Sequence, residues 1–496
     1  MYSQEDIESL LQERAAFQQE NALLKEELAE LRRMIFGSKR ERFVSTKKDS
    51  AQLQLPLDVD VPEEGPPKVK QTIVYQRALK GSGKPTGRKP LPPDLPREEV
   101  ILEPAVDTSD MRKVGEEVTE ELDLVPAKLF VRRYIRPRYV DKEEKFHIAA
   151  LPARPIEKGI PGPGLLAQVL VDKFAHHLPF YRQVQRYKQW GIKIAVSTLS
   201  GWLAPACDLL SPLYLAHRHQ VLKDNYLQVD ETPIKVLDEH KKGRTHIGQH
   251  WVYHSPGQKL VFFDYQKGRS REGPKKILDG FEGYLQADAF TVYESLVKKD
   301  RLNVILAGCM AHARRYFEHA LESSKEIAEK ALLLFQKLYA LERQAREQEM
   351  DNLERQKLRL EESLPIMEML GEWLQDIYPS LLPKSKIAKA AAYFLKNYEK
   401  LSVFIDEGHI EIDNNLIENS IRPVAIGRKN YLFAGSHDGA QRAAMMYSLI
   451  GTCKLHEINP FEYLKDILER LPEYPLNKIE DLLPQNWKKH SKKTPS

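Results

Sequence analysis

The chain is 496 residues long, 42% apolar and 29% charged, with 75 basic against 71 acidic residues and a formal net charge of +4. A mean hydropathy of −0.50, with no apolar run near the ~18 residues of a membrane span, counts against a membrane-spanning protein; so mild a charge excess does not by itself establish a nucleic-acid partner. Three scattered cysteines, Cys207, Cys309 and Cys453, form no CxxC pair and argue against a disulfide framework or a cysteine-rich zinc module.

The length suits roughly three or four domains. The opening "MYSQEDIESL" is polar and acidic and lacks the basic and apolar regions of a signal peptide, so a cytoplasmic address is expected. Within residues 1–47, Leu10, Phe17, Leu24 and Leu31 recur as a d-type series, with Ile7, Leu28 and Ile35 at a positions and Arg14 and Asn21 filling the remaining two. This heptad seam predicts a coiled coil that pairs at least two copies; a single amphipathic helix packed on its own domain is the alternative. Residues 48–100 fill with Pro, Lys and Gly and read as a flexible linker. Its "GRKP" either lies in a narrow minor groove or is plain spacer.

Residues 101–158 form a small module whose segment "EEVTEELDLVPAKLFVRRYIRPRYV" predicts short strands, with Arg132, Arg133, Arg136 and Arg138 either on phosphate or on a solvated face. In 159–222 one helical stretch ends at Gly191 and a second helix is expected with Ser197 as its N-cap. The pair reads either as a helix-turn-helix presenting Thr198 and Ser200 to a major groove or as an ordinary helical hairpin. Five β-rich runs follow between 225 and 309: three on short turns, then two alternating with the helical "GPKKILDGF" and "TVYESLVKKD". This order predicts a mixed sheet, antiparallel first and parallel later. From Ala311 to about Asp406 the pattern is almost wholly helical.

Asp230 and Asp288 occupy similar contexts, "LQVDETP" and "LQADAFT", each after a short apolar run and each read as leading toward a loop. If their strands are parallel neighbours, the two carboxylates meet near the carboxyl ends of the sheet. Like charges so close must share a proton or hold cations, and Mg2+ suits such oxygen ligands. For either aspartate alone, capping a loop at a strand end is the competing reading. "DNNLIENSIRPVAIGRKNYLFAGS" offers a third acid: Asp413 caps a short helix presenting Glu418 and Arg422, Pro423 ends it, and Arg428 and Lys429 follow. The segment suits a site gripping metal and phosphodiester together, or a structural ion pair.

The motifs "VDETP", "ADAF" followed by "GCMAHARRYF", and "NNLIENSIRPVAIGRKNYLFAGS" resemble those of the DDE transposases of bacterial insertion sequences, specifically the insertion-sequence-66 family. The resemblance runs from the N-terminal heptads through "GEEVTEELDLVPAKL" to "GAQRAAMMYSLIGTCKLHEINPFEYL". It implies a multidomain α+β chain in which a ribonuclease-H-like mixed α/β catalytic core (223–320 and 409–470) carries a helical insertion (321–408). A coiled coil and small DNA-binding modules precede it, and a basic tail (471–496) follows. It further implies Asp230, Asp288 and Glu418 as the catalytic, metal-binding triad with two Mg2+ or Mn2+ ions. His312, in a Cys-x-x-His element with Cys309, would shape the site or contact DNA. The implied partners are terminal inverted repeats, target DNA, and companion proteins encoded by the element, on a cytoplasmic, nucleoid-associated protein.

One departure stands out: where the family carries two cysteine pairs flanking "GEEVTEELDLVPAKL", this chain has "VDTSDM" and "YVDKEEK", so zinc is not expected there. A DNA-binding regulator with a decayed core and a ribonuclease-H-like nuclease acting on branched DNA remain the alternatives.

Overall fold

The computed structural model describes residues 129–136, 138–140, 146–148, 150–157, 159–237, 244–288 and 291–489. The expected coiled coil, the linker and the last seven residues of the basic tail lie outside these residues. No helix among the described residues is long and apolar enough to cross a membrane.

Two short strands, β1 (Arg138–Val140) and β2 (Phe146–Ile148), pair antiparallel. Three helices follow: α1 (Pro163–Phe174), α2 (Phe180–Gln189) and α3 (Val196–Val221). Gly191, at φ 82° just past the end of α2, adopts the left-handed conformation that lets a chain leave a helix sharply. The expected cap at Ser197 is displaced: α3 starts at Val196 from Ala195, with no side-chain cap. Burial of Leu199 and Trp202 sets where this helix lies, and a hydroxyl at Ser197 inside the first turn has no say in it.

The five β-rich runs form one mixed sheet. Its strands are β3 (Tyr226–Leu237), β4 (Thr245–Ser255), β5 (Leu260–Gln266), β6 (Gly283–Gln286) and β7 (Val304–Ala307), in the order β5-β4-β3-β6-β7. The β3–β4 and β4–β5 pairs are antiparallel, while β3–β6 and β6–β7 are parallel. Helix α4 (Glu272–Ile277) leads into β6, and α5 (Thr291–Asp300) joins β6 to β7. The antiparallel-then-parallel order is the one expected from sequence, because hairpins need only short turns whereas a parallel return needs a crossover.

Edge strand β5 is covered. Helices α13 (His437–Leu455) and α3 bring hydroxyls and an imidazole to its outward backbone groups. The N–H of Val261 donates to Thr452 Oγ1 at 3.2 Å and that of Phe263 to Ser448 Oγ at 2.8 Å. The Tyr214 hydroxyl donates to the Phe263 carbonyl at 2.7 Å, and His217 Nε2 lies 2.8 Å from the Val261 carbonyl. Side chains thus replace a missing neighbour strand. Helix α14 (Pro460–Arg470) packs on α1.

Between β7 and residue 406 lie α6 (Met310–Ala320), α7 (Lys325–Glu347), α8 (Asn352–Leu358), α9 (Leu364–Ile377), α10 (Lys386–Lys396) and α11 (Tyr398–Asp406). They share an apolar core that includes Phe317, Phe335, Leu370, Phe394 and Phe404. A π-turn at Arg359–Ser363 separates α8 from α9. Pro365 follows it, and the Leu364 N–H reaches back to Arg359, so the helix widens by one residue ahead of a residue that has no N–H to give.

Inside this layer Arg359 is fully buried, donating to Glu342 Oε1 at 2.7 Å and to the carbonyls of Phe404 at 2.6 Å and Glu407 at 2.9 Å. Arg355 donates to Glu342 at 2.6 Å and to Glu411 at 3.0 and 2.9 Å. The helical layer therefore grips the 407–411 connection. Gly408 passes so close to α8 that a Cβ there would stand 1.7 Å from the Asn352 carbonyl oxygen.

Candidate active site

Alternation along β3 puts Tyr226, Gln228 and Asp230 on one face. The same order recurs on β6 and just beyond it as Tyr284, Gln286 and Asp288, so the chain contains Y-L-Q-x-D twice. The two runs are paired residue for residue: Tyr226 faces Tyr284, Leu227 faces Leu285 and Gln228 faces Gln286. Two residues further on along each run stand Asp230 and Asp288, near enough for the Asp288 charge to act on the Asp230 carboxyl.

The expectation that both aspartates close their strands holds only for Asp288. Asp230 is the fifth residue of the twelve in β3. Beyond Gln228 the strand loses β6 and continues paired to β4 as far as Leu237, with a single parallel bridge from Val236 to Ala434 on its other side. Burial changes at that point, complete from Tyr226 to Val229 and partial at Asp230 and Glu231. The carboxylate therefore stands where the sheet's core opens.

Glu418 arrives on α12 (Asn415–Tyr431), positioned by Gln228. The Gln228 amide nitrogen donates to the Asp413 carbonyl at 2.9 Å, and its oxygen accepts from the Ile417 N–H at 3.1 Å. One buried side chain thus spans the loop before α12 and an N–H that its first turn leaves without a helical partner. The surrounding groups are paired as well. Tyr226 donates to Gln286 Oε1 at 2.6 Å and accepts from the Glu411 N–H at 3.1 Å. Gln286 donates to the carbonyls of Gly308 at 3.0 Å and Glu411 at 2.8 Å. Asp413 was expected to cap the helix and does not: it stands one residue earlier, accepting from the Asn415 N–H at 3.0 Å and from the Tyr339 hydroxyl at 2.7 Å. The N-cap itself is Asn414.

Pro423 does not end α12, which runs on for eight residues to Tyr431. The only bond a proline here must forfeit is the one to the Asn419 carbonyl. Asn419 is exposed, so water can take that bond's place.

The electrostatics follow from this convergence. Burial pushes the Asp230 carboxyl up to about 7, with the negative charges of Glu231, Asp288 and Glu418 adding to it. The Glu231 N–H, donating to Asp230 Oδ1 at 2.7 Å, works in the other direction. The Glu231 side chain is itself buried and paired with Arg269, whose Nε donates to it at 2.9 Å.

Helix α6 supplies the facing wall. His312 Nε2 lies 3.9 Å and Arg315 Nη2 3.6 Å from Glu418 Oε1. Burial and Arg315 hold the His312 imidazole below its ordinary pKa, which favours the neutral ring. Cys309, the N-cap of α6, is buried; its Sγ accepts from the Asn414 N–H at 3.5 Å, and burial pushes its thiol up to about 12. Here the Cys-x-x-His element joins α6 to the start of α12 and turns His312 toward Glu418.

The remaining basic candidates divide. Arg422 and Lys429 are exposed on α12. Arg428 is tied to β3, donating to Thr232 Oγ1 at 2.9 Å and to the Pro233 carbonyl. Arg132, Arg133 and Arg136 are exposed in an irregular segment, and Arg138 lies on β1. Sequence reading missed Gln228, Gln286 and Arg315. The signal for the first two was in the text, since the resemblance between the aspartate contexts includes the glutamine two places earlier.

Among the described residues no three of His, Cys, Asp and Glu form a group able to hold an ion as the side chains lie. The chemistry of the donor set nevertheless fits a divalent cation. Three carboxylates would supply hard oxygen ligands, and the Asp230 carboxyl, raised first by burial and further by the charges of Glu231, Asp288 and Glu418, is a group whose ionised form a cation would favour.

Comparison with known proteins finds matches along most of the chain. A family described as "Transposase IS66 family" matches residues 158–442, and its "IS66 C-terminal element" matches 448–485. Residues 107–140 match a "zinc-finger binding domain of transposase IS66", and 23–100 match "Transposase C of IS166 homeodomain". The 107–140 segment contains neither Cys nor His. The uncharacterized protein y4jD of Sinorhizobium fredii is 34% identical over 493 residues, 94% of each chain. A second uncharacterized protein of that organism, y4hP, is 32% identical over 82% of this chain and 78% of its own.

Proposed function

The chain belongs to the IS66 family of transposases, and from that premise we propose that it cleaves DNA at the terminal inverted repeats of its element and joins the freed 3′ ends to target DNA. The catalytic residues in this reading are Asp230, Asp288 and Glu418 on a ribonuclease-H-like core, with Mg2+ or Mn2+ as cofactor. The observation that carries it is the pairing of the two Y-L-Q-x-D runs, with Gln228 fastening the Glu418 helix beside them.

Bound divalent cations would supply positive charge against the developing phosphoryl oxygens and help an attacking oxygen shed its proton. The chain's own residues do the positioning. Asp230 and Asp288 hold two ligand oxygens on one rigid sheet, and Glu418 brings a third from a separate helix. His312, neutral, and Arg315, cationic, border Glu418; Arg315 has the charge to meet a phosphate oxygen once Glu418 turns to an ion. Exposed Arg422 and Lys429 take backbone phosphates near the site. Arg132, Arg133 and Arg136 take them elsewhere on the duplex, while Arg428 serves mainly to hold α12 on β3. The N-terminal heptads pair two protomers so that both element ends are held together, with companion proteins of the element assisting, in the cytoplasm at the nucleoid.

The test is nicking and joining of a labelled duplex carrying one element end, with full-length protein and Mg2+. Asp230→Asn and Asp288→Asn should each abolish both steps and leave binding to that duplex within a few-fold of wild type. Strand transfer surviving either substitution would sink the assignment.

A further inference from the structure

Among the stretches of this chain that lack acidic residues, two lie side by side in the fold. Between Asp172 and Asp208 there are five lysines and arginines and no carboxylate; between Glu418 and Asp438 there are three and none. The fold brings them together. Arg182 on α2 donates to Asn430, near the end of α12, at 3.3 Å. Lys173, in α1, sits between them, its Nζ 4.4 Å from the centre of the Phe180 ring and 4.6 Å from that of Tyr431.

The faces presented are the basic ones. On α12 the exposed positions Asn419, Arg422, Ile426 and Lys429 follow helical spacing away from Glu418; on α2 the exposed positions include Arg182, Gln185 and Lys188. From Glu418 to Asn430 is twelve residues, about 18 Å along the helix at 1.5 Å per residue. That is the rise of about five base pairs. Beyond it α2 continues the positive surface.

We propose that the exposed face of α2, with Arg182 and Lys188, extends the basic face of α12 into one track that holds the sugar-phosphate backbone of duplex DNA leading away from the Glu418 site. This rests on the reading that the chain acts on DNA, and adds to it a second point of grip about five base pairs from the chemistry. The contact is to phosphate. Arg182 and Lys188 therefore contribute affinity without base preference, whatever the neighbouring α3 does in a groove.

The experiment measures binding of full-length protein, in EDTA, to two fluorescent 30-base-pair duplexes, one carrying an element end and one of scrambled sequence, over a range of salt concentrations. Replacing both residues (Arg182→Gln with Lys188→Gln) removes two phosphate contacts. The slope of log affinity against log salt should flatten by about 2, and affinity at 0.15 M salt should fall roughly 30-fold, equally for both duplexes. The charge-preserving pair, Arg182→Lys with Lys188→Arg, should keep the wild-type slope. Should the double variant fail to fold, Lys188→Gln alone, at an exposed position, should flatten the slope by about 1. An unchanged slope in a folded variant, or a loss confined to the element-end duplex, overturns the track. The catalytic reading is judged separately: nicking in Mg2+ that persists in Asp230→Asn removes that reading and leaves the slope result standing.

Discussion

Replacing Asp230 by Asn should make the metal-free protein more stable at alkaline pH, even though it removes a residue the proposed chemistry requires. The Asp230 carboxyl is raised from 3.8 to about 7, so the folded state binds its proton more tightly than the unfolded chain does. That advantage is complete below about pH 4 and is lost as pH rises through 7; above pH 7 the folded protein carries an ionised carboxylate it does not favour. Three pKa units at 1.36 kcal/mol each set a ceiling of about 4 kcal/mol. Partial exposure of the side chain and relaxation around it bring the expected gain to about 1–3 kcal/mol. Asparagine keeps an oxygen to accept the Glu231 N–H, so little else is lost. Urea titrations of wild type and Asp230→Asn in EDTA at pH 8.5, 7, 5.5 and 4 supply the measurement. The Asn variant should be more stable at pH 8.5, and the difference should shrink from pH 7 downward and vanish near pH 4. Adding Mg2+ at pH 8.5 should stabilise wild type and barely move the variant. Equal stabilities at pH 8.5, or a difference independent of pH, would refute the burial of the Asp230 carboxyl beside other acids.

Three further outcomes are expected. Gln228→Leu leaves the Ile417 N–H and the Asp413 carbonyl without partners; at about 1–3 kcal/mol for each stranded group it should cost about 2–4 kcal/mol in urea unfolding and slow nicking by far more than it weakens DNA binding. Arg359→Met leaves the buried Glu342 carboxylate with Arg355 as its remaining cation and strips a donor from the Phe404 and Glu407 carbonyls, and should destabilise by about 3–5 kcal/mol; an unchanged unfolding midpoint would contradict the buried pairing. Burial holds His250 near 3 and both His217 and His254 near 4, so these rings stay neutral when folded and take protons once unfolded. Their stabilising effect is intact above about pH 6.5 and is lost as pH falls, by about 2 kcal/mol per ring between pH 6.5 and 5. His250→Phe, in a pocket already lined by Phe263, Tyr265 and Tyr447, should remove one such share from the slope of stability against pH.

The sheet was legible in the sequence because its runs are rich in β-branched and aromatic residues and are bounded by turn chemistry. The two aspartates were legible as a pair because their flanking residues repeat. The role of Gln228 was not, since a glutamine reads as a generic polar residue until the strand beside it and the helix above it are known. Glu342 and Arg359 likewise read as surface charges on a helix, and only tertiary packing buries them. Pro423 was read by the local rule for helix interiors, which assumes that the forfeited bond cannot be replaced from solvent. Asp230 was read as leading toward a loop, a rule for strands with parallel neighbours on both sides; β3 has one on only one side, and for only three residues.

The covered edge at β5 has a consequence for how copies of this chain meet. With the outward groups of Val261 and Phe263 already engaged by Thr452, Ser448, Tyr214 and His217, that margin offers no template onto which another molecule could zip a strand. In the proposed reaction, two copies gathering a pair of DNA ends would have to join elsewhere, leaving the pairing of this strand unaltered.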